Sequence, residues 1–178
     1  MPAPTVPAWS LDALKLPKAI EGDSLLGAIN AGLRARARPL WDGGALSVPT
    51  ARWGPALASA LERAQREGSL VRGLEVIEKT LEREAHGLSL VDQRSGAQRG
   101  SRVSRLILVT NDGTPRFYRQ VERLLAVQGP RLLVIYMDDA DSTQFAAVIP
   151  QGGGVVRALM LEHKELVAGA LVALYAKS

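Results

Sequence analysis

The sequence predicts an α/β fold whose sheet contains a parallel pair, preceded by a helical N-terminal extension. Two continuous apolar runs, Leu106-Ile107-Leu108-Val109-Thr110 and Leu132 through Met137, are of the kind that fills strands buried on both faces. Between them, Thr114-Pro115 opens an amphipathic helix that carries Phe117, Val121, Leu124 and Leu125 and stops at Gly129-Pro130. Strand, helix, strand implies a right-handed crossover to a parallel neighbour. The 178 residues, 47% hydrophobic and 22% charged, suffice for a substantial core and exclude a disordered or collagenous chain.

The other elements follow in order. Residues 1–22 carry Pro2, Pro4, Pro7 and Pro17 and read as a poorly ordered tail pinned by Trp9 and Leu11. Asp23 is the expected cap of a helix bearing Leu25, Leu26, Ile29 and Leu33, with Arg34, Arg36 and Arg38 towards its C-terminal end. Residues 39–50 read as a loop. Gly54-Pro55 starts the next helix, which buries Leu57, Leu61 and Ala64 and ends at Gly68. A short extended piece, Ser69 to Arg72, meets a turn at Gly73, and a helix over 75–85 buries Val76, Ile77 and Leu81. Leu88, Leu90 and Val91 suggest a short strand leading into a flexible basic tip, Asp92 to Arg102, which together suit a β-hairpin. After the second buried strand, Asp141 or Ser142 caps a short helix to Val148, Val155 to Leu161 form a strand, and Lys164 to Ala176 a closing helix. The expected organisation is an N-terminal tail and helical extension over 1–54 and an α/β domain over 55–178, with an inserted basic loop at about 86–105.

Cysteine is absent, which excludes disulfides, zinc–thiolate sites and thiol nucleophiles. His86 and His163 have no ligand or nucleophile at a readable spacing, so neither a metal site nor a cofactor is expected. No run of 18 apolar residues occurs, and the proline-bearing start lacks a signal-peptide profile, so a cytoplasmic protein without membrane contact is expected. Net charge is +4, and of the 22 basic residues five are lysine, leaving 17 arginines. Arginine forks onto phosphate and stacks on bases; a GC-rich genome would produce the same bias. Residues 86–105 hold Arg94, Arg99, Arg102 and Arg105 against Asp92 alone.

From residue 55 the order is helix, short strand, helix, strand, helix, strand, short helix, strand, helix. This order, with Leu61 to Arg83 (LERAQREGSLVRGLEVIEKTLER), Leu106 to Asp112 and Thr114-Pro115-Arg116, resembles the kink-turn RNA-binding ribosomal-protein family, particularly its bacterial YlxQ-like members. The resemblance covers residues 55 to 178 and implies a three-layer α-β-α sandwich with a mixed four- to five-stranded sheet. It also implies non-enzymatic binding of structured RNA, centred on Arg72, Gly73, Glu75 and Lys79. Gly73 permits a tight turn at a helix N-terminus, whose free amides suit phosphate. In the archaeal and eukaryotic branches an Asn and a Glu follow this glycine and read sheared base pairs; here Glu75 and Val76 stand there. An acid repels phosphate and valine cannot hydrogen-bond a base, so strict kink-turn readout is not expected. The resemblance also places Ile149, within Ala147 to Pro150, against an extruded base; the other reading of Val148 and Ile149 is core. Arg94, Arg99, Arg102 and Arg105 would add phosphate contacts.

Two strand ends look like chemistry. Tyr136-Met137-Asp138-Asp139 has the carboxylates of a two-metal site, and Asn111-Asp112-Gly113-Thr114 follows a buried strand. Caps and turns explain both more simply, and no catalytic residue is assigned. Trp9, Trp41 and Trp53 read as packing anchors or as an interface for a protein partner of the N-terminal extension. A protein-interaction or regulatory module on the same fold is the competing reading, favoured by Glu75, Val76 and the acids at 138–141.

Overall fold

A computed structural model describes residues 9–22, 24–95, 102–149 and 154–176, with only the backbone of 91–95. The expected Asp23 cap therefore lies outside the described residues, as do Arg99 and residues 150–153. The N-terminal part begins with a 3₁₀ turn (Leu11–Ala13), followed by α1 (Lys18–Glu21) and α2 (Leu26–Ala35). Where a loop was expected, β1 (Arg38–Pro39) pairs antiparallel with β2 (Ser47–Val48), and β3 (Thr50–Ala51) follows. Then come α3 (Pro55–Arg66), β4 (Leu70–Arg72), α4 (Leu74–Ser95), β5 (Arg105–Val109) and α5 (Pro115–Gln128). The chain continues through β6 (Leu132–Met137), α6 (Ser142–Ala147), β7 (Ala158–Leu161) and α7 (Lys164–Tyr175).

The main sheet has five strands in the order β3-β6-β5-β7-β4. The β5–β6 pair is parallel, as the strand–helix–strand pattern predicts, and β3 adds to β6 in parallel, while β7 and β4 run antiparallel. Every residue of β6 and β7 is buried, as is β5 apart from Arg105, which accounts for their unbroken apolar sequences. Helices α4 and α5 pack together in one layer, and α2, α3 and α7 in the other. The chain is thus an α-β-α sandwich with a mixed sheet.

Residues before 55 pack into the same core. Trp9 is 4% exposed, and its indole Nε1 donates to the Leu132 carbonyl at 2.7 Å. Ile20, Ile29 and Leu33 are buried, and α2 lies on α7 so closely that a Cβ on Gly32 would run into the Tyr175 ring. The Tyr175 hydroxyl donates to the Thr50 carbonyl at 3.0 Å. A boundary at residue 54 falls between the sheet's edge strand β3 and helix α3.

The strand expected at 88–91 is absent: α4 continues unbroken to Ser95. No proline interrupts 74–95, so the chain extends the helix. Leu88 and Leu90 lie on different sides of the helix, Leu88 half-buried and Leu90 41% exposed, so their alternation marks no strand face. Among the described residues no helix is long and apolar enough to cross a membrane.

Candidate nucleic-acid interface

Several polar turns gather at one edge of the sheet. At that edge lie the C-terminal ends of β3, β6, β5 and β4 and the N-terminal end of β7. Gly73 follows β4 there with φ +88°, a left-handed conformation that glycine adopts without cost, and no atom lies within 4 Å of a Cβ built on it. Its N–H donates to the Ala158 carbonyl at 2.9 Å, and its own carbonyl accepts from Ile77 to begin α4. The β4–β7 register therefore sets the glycine turn beside residues 154–157. In that segment Val155 is 65% exposed and Arg157 is partly exposed; its Nε donates to the Asp112 carbonyl at 3.4 Å and lies 4.0 Å from the Asp112 carboxylate. Lys79 is exposed on α4, five residues beyond Leu74 and about 7 Å along the axis.

The remaining sequence candidates separate. Glu75 and Val76 are exposed in the first turn of α4, Val76 at 52%, so Val76 is not part of the core. Ile149 is 6% exposed and packs in the core with Val148, so among the described residues of this loop the exposed large apolar side chain is Val155. Arg94 lies in α4, not at a hairpin tip, and its side chain is outside the described residues. Arg105 begins β5, four residues before Val109, which faces Ala158; that sets it about 13 Å along the strand direction from the level of the Gly73 turn, at the opposite sheet edge. There Arg105 Nε donates to both oxygens of Glu84, at 3.0 and 3.1 Å. Arg131 reaches the same carboxylate at 3.2 Å and also donates to the Leu81 carbonyl and to Gln128. Burial lowers the Arg131 pKa, and the charge of Glu84 opposes that shift. Arg102 pairs with Glu21 and donates to the Leu16 carbonyl; its hydrogen bond holds the Glu21 carboxyl below its ordinary pKa. The two described arginines of the expected basic loop are thus bound to carboxylates of their own chain.

The strand-end acids do not converge. Asp138 Oδ2 accepts from Arg36 at 2.9 Å, and Asp139 accepts from the Trp53 amide at 2.8 Å. Asp141 caps α6 in a reciprocal box with Gln144. Partial burial would raise the Asp112 pKa, but hydrogen bonds from the Ser142 hydroxyl (2.7 Å) and amide hold it below its ordinary value. Among the described residues no group of three His, Cys, Asp or Glu side chains could hold a metal ion. Asn111 donates to the Asp138 carbonyl at 3.1 Å, joining two strand ends, and Thr114 caps α5 as the sequence predicts.

The edge missed its clearest signals in the sequence because they depend on register. Val155 and Arg157 look like the start of a strand, and only their pairing sets them beside Gly73. Comparison with protein-family models and with curated proteins finds no match.

Proposed function

We propose that the chain binds structured RNA through the sheet edge formed by the Gly73 turn and residues 154–157, without covalent chemistry. One observation supports this above the rest: the Gly73 N–H bonds to Ala158 and sets a helix N-terminus beside Val155 and Arg157. The first turn of α4 offers amides to phosphate, Lys79 supplies charge, Arg157 adds a guanidinium held by long contacts to Asp112, 3.4 Å to the carbonyl and 4.0 Å to the carboxylate, and Val155 offers a surface to an unstacked base. Arg72, at the start of the turn, adds a guanidinium. Glu75 and Val76 cannot reproduce readout of sheared pairs, so the contact is to shape and backbone. Arg102 and Arg105 take no part.

Fluorescence anisotropy of a labelled kink-turn stem and of an uninterrupted hairpin, titrated at several salt concentrations, tests the proposal. Both RNAs bind at low salt with similar affinity, and binding weakens steeply as salt rises. Absence of binding to either at low salt overturns it. The protein-interaction reading then takes its place, favoured by the exposed acid and valine, Glu75 and Val76, on that same turn.

A further inference from the structure

We infer that the outer face of α5, together with Trp41, is a separate binding surface for single-stranded nucleic acid. Arg116, Arg119 and Arg123 are exposed and recur at intervals of three and four residues, which sets them in one stripe along the helix. None forms an ion pair among the described residues. The acid of this face, Glu122, is engaged: one oxygen accepts from the Trp41 indole and the other from the Leu46 amide, each at 2.9 Å. Glu122 keeps its own negative charge, so the stripe sets three arginines against one carboxylate and is net positive, whereas Arg102 and Arg105 are each paired with a carboxylate.

Beside the stripe an open groove of about 450 Å³ is walled by Trp41, Ala45, Leu46 and Ala126, with Arg119, Arg123 and the hydrogen-bonded carboxylate of Glu122 also lining it. Its mostly apolar lining is suited to the face of an unpaired base. The Arg119 guanidinium lies 4.7 Å over the Trp41 ring, and its outer plane is a second stacking surface. Apolar and planar surface for bases beside a row of cations for phosphates is the combination that holds a single strand without sequence preference. A duplex hides its base faces and would leave the groove unused. This surface does not depend on the Gly73 edge.

Anisotropy of a short fluorescein-labelled oligouridylate at low salt, with polyglutamate as the alternative polyanion, tests it. Arg116→Gln combined with Arg123→Gln changes two side chains that hold no other element in place, so the fold is kept. The expected result is binding by the wild type, weakened about tenfold in this variant, with a salt dependence shallower by about 0.7 per arginine removed. Quenching of tryptophan fluorescence on binding disappears in Trp41→Phe. A Lys79→Gln/Arg157→Gln protein binds the oligomer as the wild type does. Equal binding by the wild type and the α5 variant overturns the inference. So does binding of polyglutamate without oligouridylate, or loss of binding only in the Lys79→Gln/Arg157→Gln protein.

Discussion

Tyr118 shows how much one side chain does behind the strand ends. Its hydroxyl donates to the Thr110 carbonyl at 2.6 Å and accepts from the Gly113 amide at 2.9 Å, closing the turn that leads into α5. Tyr118→Phe leaves that carbonyl and amide without the hydroxyl, and denaturant melts are expected to show a loss of about 1–3 kcal/mol. Burial pushes the Tyr118 pKa up to about 12, and burial raises that of Tyr175 as well. The native state keeps these phenols protonated where the unfolded chain ionises them, near pH 10. Their contribution is therefore complete below pH 10 and is lost as pH rises from there through the folded value. Melting temperature is expected to fall over that window, and to fall less in Tyr118→Phe. At the opposite sheet edge, Glu84→Gln would leave two partly buried guanidiniums without their carboxylate. A loss of about 1–3 kcal/mol is expected, below the range for fully buried pairs because all three side chains keep some solvent contact.

Among the elements, α4 separates what sequence can and cannot show. Its first turns were legible, because Ile77 and Leu81 recur on a buried face and Gly73 marks the start. Its last turns were ambiguous, since Leu88 continues the helical spacing of Leu81 seven residues on, yet Leu88 and Leu90 also alternate as in a strand. Gly87 decides between the two descriptions. It lies inside the helix and a Cβ there would meet nothing within 4 Å. Gly87→Ala is expected to stabilise the protein by roughly 0.5–1 kcal/mol in denaturant melts; destabilisation would mean that the glycine serves a turn. The two-residue strand β3 was illegible for a different reason: Thr50 and Ala51 are too few to show a period and pair only because β6 presents a free edge. The buried strands β5 and β6, by contrast, could be read directly, since burial on both faces leaves a continuous apolar run.

For the molecule as a whole, position matters more than the charge total. Four arginines between 86 and 105 stand close together in sequence, yet Arg102 and Arg105 lie at the sheet edge opposite Gly73 and are bound to Glu21 and Glu84. Glu84 stands more than twenty residues before Arg105 and Glu21 far earlier, so nothing in the local sequence reveals the pairing. The same holds for Trp9, whose indole bond to Leu132 spans 123 residues. Because Trp9, Ile29, Leu33 and β3 belong to the common core, a fragment of residues 55–178 is expected not to unfold cooperatively. Circular dichroism melts and amide dispersion in NMR spectra would check this, and a sharp two-state melt of the fragment would contradict it.

In the proposed binding mode RNA is held at the Gly73 edge and not by Arg102 or Arg105. Its most direct measurement is the salt dependence of hairpin RNA binding by two variants, Lys79→Gln/Arg157→Gln and Arg102→Gln. The first is expected to weaken binding and to make the dependence shallower by about 0.9 for each phosphate contact removed, while the second keeps affinity and slope at the wild-type values. The reverse pattern, loss in Arg102→Gln with the edge variant unchanged, would contradict it.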